Sequence, residues 1–446
     1  MKTKRTPCLL TQTPLWKRGR TPFRSTPVNK IIIFLLVSSP LPAENVGVGF
    51  IRPAGLINQA PTPVKLGLEI LIEKKPDLLK GKKVGLITNR TGVDSQLRSS
   101  IDLIISLPDV KLAALYAPEH GIRGGLRDII HHNVDKKTGV PVFSLYGATR
   151  KPTREMLKDV DVLVFDLQDI GSRTYTYIST LKLCMEESAK YRIPFIVLDR
   201  PNPINGILVD GPVLDPEFES FIGTGPIAYL HGMTIGEIAR YFNEEFQIHC
   251  DLEVVPMEGW QRTMTWRDTG LVWTPPSPNI PEPDSAWFYP ITGILGELSL
   301  VNEGVGYTLP FKIVGAPWID AEEISGLLNR RNIPGVYFQP FNFTPLSHIH
   351  KDKFCGGFKI IITDEKLLRP VVVGYHIMDV LLRKYPKQFN FSLPVSKKRL
   401  RTFDNSNGID TIRLRLESGV PVDEIVKTYQ PGLEEFIKKR ERYLLY

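Results

Sequence analysis

Residues 162–177 read VLVFDLQDIGSRTYTY. Val162 to Phe165 form an unbroken apolar run, the composition of a strand buried on both faces of a sheet. The polar stretch from Asp166 to Arg173 is the loop that leaves it, and a helical pattern follows from Thr174 to Tyr191. Working outward, the same alternation recurs. Strands are expected at Lys83–Thr88, Leu112–Tyr116, Pro141–Leu145 and Pro194–Leu198, with helices around Arg98–Leu107 and Thr153–Leu157. Apolar strands alternating with helices build a parallel sheet flanked by helices, so the expected fold class is α/β with a Rossmann-like parallel sheet domain. The first strand runs into Thr88, Asn89, Arg90, Thr91 and Gly92 with no GxGxxG, and no Walker A motif occurs. A nucleotide is therefore not indicated by the fold.

A further helix is expected over 232–246 and a strand at Leu252–Val255. The prolines at 275, 276, 278, 281 and 283 then mark a passage between domains. Beyond it helices mix with strands such as Phe311–Val314 and Phe358–Ile362, and a charged helix closes the chain from about Val422 to Arg440. This second part reads as a smaller C-terminal α+β auxiliary domain. The expected organisation is a leader at 1–43, a Rossmann-like domain at 62–284 and an auxiliary domain at 285–446.

The chain of 446 residues is 42% hydrophobic and 23% charged, which is ordinary for a globular protein. Its formal charge of +8 belongs to the leader: residues 1–43 hold eight Lys or Arg and no acid. The neutral remainder offers no electrostatic footprint for nucleic acid. The basic leader ends at Lys30, an apolar run spans Ile31 to Val37, and Ala43 offers a cleavage point before Glu44. That pattern reads as an export signal, with a disordered basic tail as the alternative. No stretch is apolar for long enough to imply stable membrane insertion. Past the leader, Cys184, Cys250 and Cys355 show no zinc or disulfide spacing.

In open parallel sheets ligands gather at the carboxyl ends of strands. Three such ends are rich in polar residues. Behind Tyr116 come Glu119, His120, Gly121, Arg123 and Gly124; behind Phe165 come Asp166, Asp169, Arg173, Tyr175 and Tyr177; behind Leu198 come Asp199, Arg200 and Asn202. Glu119 and His120 pair an acid with a base, and a carboxyl in a partly dry cleft can protonate a leaving oxygen. The bland alternative is a loop anchored by hydrogen bonds. Asp169 is the candidate second carboxylate, with Arg173 as a clamp, Tyr175 as an aromatic wall and Arg123 as a further substrate contact. Asp166, still within its strand, reads as structural. Asp199 and Arg200 either hold substrate or pair with each other, and Asn202 binds a hydroxyl or its own backbone. Trp260, Trp266, Trp273 and Trp287, beside Ser277 and Asn279, either stack on a sugar or fill core. Glu297 and Glu303 either reach the same cleft or are solvated helix charges. No metal is expected, since no HExxH or comparable ligand spacing occurs, and a GxSxG nucleophile elbow is also absent.

Taken together these segments resemble the exo-acting β-N-acetylmuramidases of the NamZ type, glycoside hydrolase family 171, formerly a domain of unknown function. The resemblance rests on VGLITN at 84–89, APEHGIRG at 117–124, FDLQDIG at 165–171 with Arg173 and Tyr175 to Tyr177, and LDRPNP at 198–203. It continues through GMTIGEIA at 232–239, SPNIP at 277–281, and Pro310 with Phe311 before GAPW at 315–318. It implies a Rossmann-like domain, an auxiliary domain and an active site in the cleft between them. It further implies release of terminal N-acetylmuramic acid from the non-reducing ends of peptidoglycan fragments, without a cofactor. The glutamate proposed as catalytic in the family falls on Glu119, and His120, Asp169 and Arg173 fall on site positions. One departure stands out: many members read SEGRGTT where this chain has Asn302 to Thr308, so Val305 replaces an arginine that could bind the lactyl carboxylate. The expected protein is an exported glycosidase with Glu119 as general acid. Its rivals are a non-catalytic wall-binding protein and a wall-polymer esterase or deacetylase.

Overall fold

The computed structural model describes residues 64–123 and 133–446, so the leader expected at 1–43 and Gly124 lie outside the described residues. The chain from Asn58 to Tyr446 forms one compact unit. Its strands are β1 (Lys83–Thr88), β2 (Lys111–Ala117), β3 (Asn133–Val134), β4 (Pro141–Ser144), β5 (Val162–Asp166), β6 (Phe195–Leu198), β7 (Asp210–Val213), β8 (Ala228–Leu230), β9 (Leu252–Val255), β10 (Ile313–Ala316), β11 (Val336–Phe343) and β12 (Cys355–Ile362). Seven of them make the main sheet in the order β3-β4-β2-β1-β5-β6-β9. All neighbours are parallel except β3 and β4. The α/β class and the Rossmann-like sheet expected from the sequence are thus what the chain adopts.

Side chains alternate between two cores, as the two-residue period of a strand requires. Val84, Leu86, Val162, Val164, Ile196 and Leu198 pack on one face against Leu68, Leu71, Ile101 and Ile104. Those four come from α1 (Gly67–Lys74) and α2 (Ser100–Ile105). The opposite face carries Ile87, Leu163, Phe165, Phe195 and Val197. After the short α3 (Arg154–Leu157), α4 (Tyr177–Tyr191) and α5 (Ile235–Glu245) cover that face. Burial of both faces explains why these strands are apolar throughout, and it removes every in-sheet position where a polar group could work.

The second core continues into the C-terminal half without a break. There β10, β12 and β11 form an antiparallel sheet in that order. It packs with α6 (Ser285–Gly296), α7 (Ala321–Asn329) and α8 (Pro370–Lys384). Strand β12 starts at Cys355, earlier than its apolar run suggests, because Gly356 and Gly357 belong to it. A Cβ on Gly357 would lie 1.9 Å from the Val314 carbonyl of β10, so only glycine permits that pairing. The last helix, Val422–Arg440, returns to the first half. Arg440 donates to the carbonyls of His231 and Gly232, and the Tyr446 hydroxyl donates to Asp199 at 2.7 Å.

Arg173 is the strongest tie between the halves. Expected to clamp substrate, it is instead fully buried and donates to four main-chain carbonyls, those of Pro212, Ile227, Ser406 and Asn407, at 2.8–3.0 Å. Its own amide donates to Tyr229 at 2.7 Å. Burial pushes the guanidinium down to about 10, still charged at neutral pH, and carbonyl dipoles rather than a carboxylate hold it. Arg173→Met removes the donor and strands the acceptors in a dry interior, so the protein should lose roughly 3 kcal/mol or more of stability. Urea unfolding checks this, and a midpoint matching the unmodified protein would show that the clamp is dispensable.

Candidate active site

The rim at the carboxyl ends of β1, β2 and β5 holds a pocket of about 130 Å³ lined by Glu119, His120, Thr174, Tyr175, Thr176, Tyr177, Ser277, Asn279, Ile280, Tyr289 and Phe311. Both halves of the chain contribute. Glu119 sits just beyond β2, where His120 and Gly121 both take left-handed backbone conformations, φ +72 and +76. Two such residues in succession turn the loop back over the sheet end, and a non-glycine residue there is a strained arrangement of the kind that clusters at functional sites.

The carboxylate of Glu119 accepts from Thr176 Oγ1 at 3.0 Å. Thr176 immediately precedes α4, so Glu119 lies at the positive end of a fifteen-residue helix. The Tyr146 hydroxyl also bonds Glu119, and burial together with that carboxylate pushes the phenol up to about 12. The facing wall is aromatic: Tyr175 meets Tyr177 edge-on at 4.8 Å and Tyr289 at 6.1 Å, and Tyr289 meets Phe311 at 5.0 Å. Tyr177 is pinned, accepting from Asn89 Nδ2 and donating to the Pro276 carbonyl, both at 2.7 Å. The second of these bonds ties the proline-rich strap to the sheet end.

A second acid, Glu303, lies outside this lining but is joined to it through the main chain. The Phe311 amide donates to the Glu303 carbonyl at 2.7 Å, and the Glu303 carboxyl packs against Gly296 at the end of α6. Although part of its surface stays accessible, burial pushes Glu303 up to about 7, and the charge of Glu297 adds to the rise. Glu297 itself is raised by burial, against which Arg399 holds it charged with a bond at 3.1 Å. Arg399 also donates to the Glu297 carbonyl, capping α6. The charges of Glu297 and Glu119 both reach the Tyr289 hydroxyl and help raise its pKa.

Of the residues expected at the site, Glu119, His120, Tyr175, Tyr177, Ser277 and Asn279 meet in this pocket. The others do not line it. Asp169, the expected second carboxylate, is buried; it accepts from the Gly171 amide at 2.7 Å and lies 3.5 Å from His231. Its charge fixes its own loop. Asp199 is fully buried and caps α5, accepting from the Gly236 amide and Thr234 Oγ1. Arg200 pairs with Asp166 at 2.6 Å, and Asn202 joins the Met233 carbonyl to the Ile204 amide. Arg123 is largely exposed and pairs with Asp135 at 2.8 Å. Trp260, Trp266 and Trp287 are buried as core, so the filling role holds for them in place of sugar stacking. Thr176 and Phe311 lie in the motif segments without an expected part in the site, and Thr174 and Tyr289 fall outside those segments, signalled only by their nearness.

Size does not pick out this pocket, because a groove of about 620 Å³ runs beside Trp287, Phe288 and residues 359–366. Two of its cations are paired, Lys312 with Glu282 and Arg267 with Asp284, while Lys359 and Lys366 line it without a salt bridge among the described residues. None of its lining residues follows β1, β2 or β5, so position at the strand ends outranks volume here. Among the described residues no group of three or more His, Cys, Asp or Glu is placed to hold a metal, and no helix is long and apolar enough to cross a membrane.

Comparison with known proteins agrees with this layout. Residues 84–284 match the family model "Exo-beta-N-acetylmuramidase NamZ, N-terminal", and residues 287–446 match the corresponding C-terminal model. The peptidoglycan beta-N-acetylmuramidase NamZ of Bacillus subtilis (strain 168) is 44% identical over 385 residues, 86% of this chain and 91% of that protein. A DUF1343 family protein of Bacteroides fragilis NCTC 9343 has a similar structure, with TM-score 0.82 and 43% identity over 86% of this chain and 99% of its own. A second from the same organism gives 0.68 and 30% over the same shares.

Two raised carboxyls make stability depend on pH. Burial lifts Asp199, like Glu303, to about 7, above the unfolded carboxyl range near 4. A carboxyl raised in the folded state stabilises fully below its unfolded pKa, and that contribution is lost as pH climbs through the folded value. The unfolding free energy should therefore fall between about pH 4 and 7, on the order of a few kcal/mol in total. Glu303→Gln removes its share of the slope; a slope unchanged in that variant would assign the effect elsewhere.

Proposed function

The chain belongs to the exo-β-N-acetylmuramidase NamZ family, and from that premise we propose how its own residues act. It is a glycoside hydrolase that releases terminal N-acetylmuramic acid from peptidoglycan fragments. In our reading Glu119 is the general acid. It delivers its proton to the bridging oxygen, and the departing sugar leaves as a neutral alcohol while the ring carries oxocarbenium character. The observation that carries this is the position of its carboxylate, inside a pocket closed by four aromatic rings at the carboxyl ends of the parallel strands. When a sugar fills about 130 Å³ of that space it displaces water from the carboxyl, and loss of hydration favours the protonated form. Asn279 and Ser277 offer hydrogen bonds to ring substituents, and His120 orients the Glu119 loop.

One observation favours a second assignment of roles. Glu303 is pushed up to about 7 by burial, whereas Glu119 accepts bonds from the Thr176 and Tyr146 hydroxyls. On that reading Glu303 gives the proton and Glu119 remains ionised, steadying the positive ring or directing water. Either way the pair replaces Asp169 in the part of second carboxylate.

Leaving-group dependence separates the two. A 2,4-dinitrophenyl glycoside departs without protonation, whereas a muramic acid–glucosamine disaccharide does not. Glu119→Gln should cut disaccharide cleavage by roughly 10²- to 10⁴-fold while largely sparing the activated aryl glycoside. Glu303→Gln should depress both if Glu119 is the acid, and show the selective pattern itself if the roles are exchanged. Unchanged disaccharide turnover in Glu119→Gln removes that residue from the mechanism.

Export is part of the same proposal, supported by the basic and then apolar leader of residues 1–43 and by a substrate that lies in the wall. Cell fractionation with N-terminal sequencing should find a mature protein outside the cytoplasm beginning near Glu44; a cytoplasmic protein retaining the leader speaks against it.

A further inference from the structure

N-acetylmuramic acid differs from N-acetylglucosamine by a lactyl ether bearing a carboxylate. A pocket selective for it needs a cation beside the sugar. Several described cations near the rim are spent: Arg173 is sealed among carbonyls, Arg200 holds Asp166, Arg123 holds Asp135 and Arg399 holds Glu297. Arg150, exposed and without a carboxylate among the described residues, lies over the Phe221 ring at 4.2 Å.

Arg90 differs from all of these. It is half-buried at the end of β1, and among the described residues no carboxylate pairs with it and no hydrogen bond engages its guanidinium. Its Nε is shielded from solvent and unpartnered. An arginine kept partly dry without an acceptor costs stability, and a ligand that supplies one recovers it. The backbone around it is rigid: Asn89 Oδ1 accepts from the Thr91 amide at 2.8 Å and the Thr91 hydroxyl at 2.6 Å, and the Gly92 amide returns to the Asn89 carbonyl at 3.0 Å. The neighbouring Asn89 side chain bonds the Tyr177 hydroxyl, which belongs to the pocket. That hydroxyl feels both charges, Glu119 raising its pKa and Arg90 lowering it. Arg90 itself does not line the pocket, and the Asn89–Tyr177 bond fixes its stretch of backbone beside the pocket wall.

We propose that Arg90 binds the lactyl carboxylate of the terminal sugar and so selects muramic acid over glucosamine; this rests on the glycosidase reading of the Glu119 pocket. A guanidinium fork matches a carboxylate with two parallel bonds, which suits recognition at a fixed distance from the reacting carbon. Arg90 is a specificity residue, and proton transfer stays with the acids.

The test compares 4-nitrophenyl N-acetyl-β-muramide with its methyl ester, which keeps the shape and loses the charge. The unmodified protein should prefer the acid by roughly 10- to 100-fold in kcat/KM, mainly through KM, and that preference should shrink as salt is raised. In Arg90→Gln the ratio should collapse toward one, and Arg90→Lys should recover part of it. A merely structural role for Arg90 would depress acid and ester alike and leave the ratio standing. That result, or an unmodified protein indifferent to the ester, overturns the proposal while leaving the glycosidase reading intact. If Arg90→Gln does not fold, the ratio in Arg90→Lys and the salt response of the unmodified protein decide the matter. Failure of the unmodified protein to cleave either compound would instead count against the glycosidase reading.

Discussion

A parallel sheet with helices on both faces has no solvated side, and that constraint shapes everything else in this protein. Strands β1, β5 and β6 bury nearly every residue they contain, so their polar chemistry is pushed to the carboxyl ends. Polar groups arriving there meet two demands at once. Some must satisfy the loops that leave the sheet, because an unpaired buried amide or carbonyl is costly. The rest are available to a ligand. Asp166, Asp169, Asp199 and Asn202 meet the first demand, accepting from loop amides or side chains. Glu119 stands where the loop opens into the pocket.

The division between these two groups is what sequence reading could not make. Strands Lys83–Thr88 and Val162–Asp166 were legible residue for residue, because nearly continuous burial leaves an apolar signature, and the half-buried edge strand Leu252–Val255 was legible from its β-branched and apolar residues. Strand β11 was not, because it exposes Tyr337, Gln339 and Asn342 and contains Pro340, which a central strand would not tolerate. Strand β10 slipped by two residues because Phe311, apolar like a strand residue, sits at φ +64 and faces the pocket. Among polar residues, Arg173 and Glu119 look alike in sequence: each follows a strand in a loop rich in glycine. What separates them is partners distant in the chain. The acceptors of Arg173 include Ser406 and Asn407, and Asp199 is held by Tyr446. No local pattern announces such contacts.

The halves of the chain need each other for the same reason. The sheet end alone is an open shelf, where water would screen any carboxylate and any developing charge. The strap around Pro276 and the rings of Tyr289 and Phe311, all outside the main sheet, turn that shelf into an enclosed pocket. Excluding water lowers the effective dielectric, which strengthens each interaction inside it. Burial also raises the cost of leaving those rings badly placed, and Arg173 and Arg440 supply the ties that hold the later segments against the sheet.

Charge balance then separates working groups from framework groups better than burial does. Glu282, Asp284, Asp379 and Asp404 each face an arginine or lysine, and a charge already paired has little left for a substrate. Among the described residues neither Glu119 nor Glu303 has a salt-bridge partner, and the two occupy different surroundings. One receives bonds from two hydroxyls at a helix N-terminus, and the other is pressed against the end of α6. A carboxyl raised by burial keeps its proton to higher pH, the property a proton donor to a glycosidic oxygen needs. A muramic acid carboxylate entering this pocket would add a third negative charge. Among the described residues Arg90, just beyond β1, is a cation without a carboxylate partner, and such a charge offsets the added one.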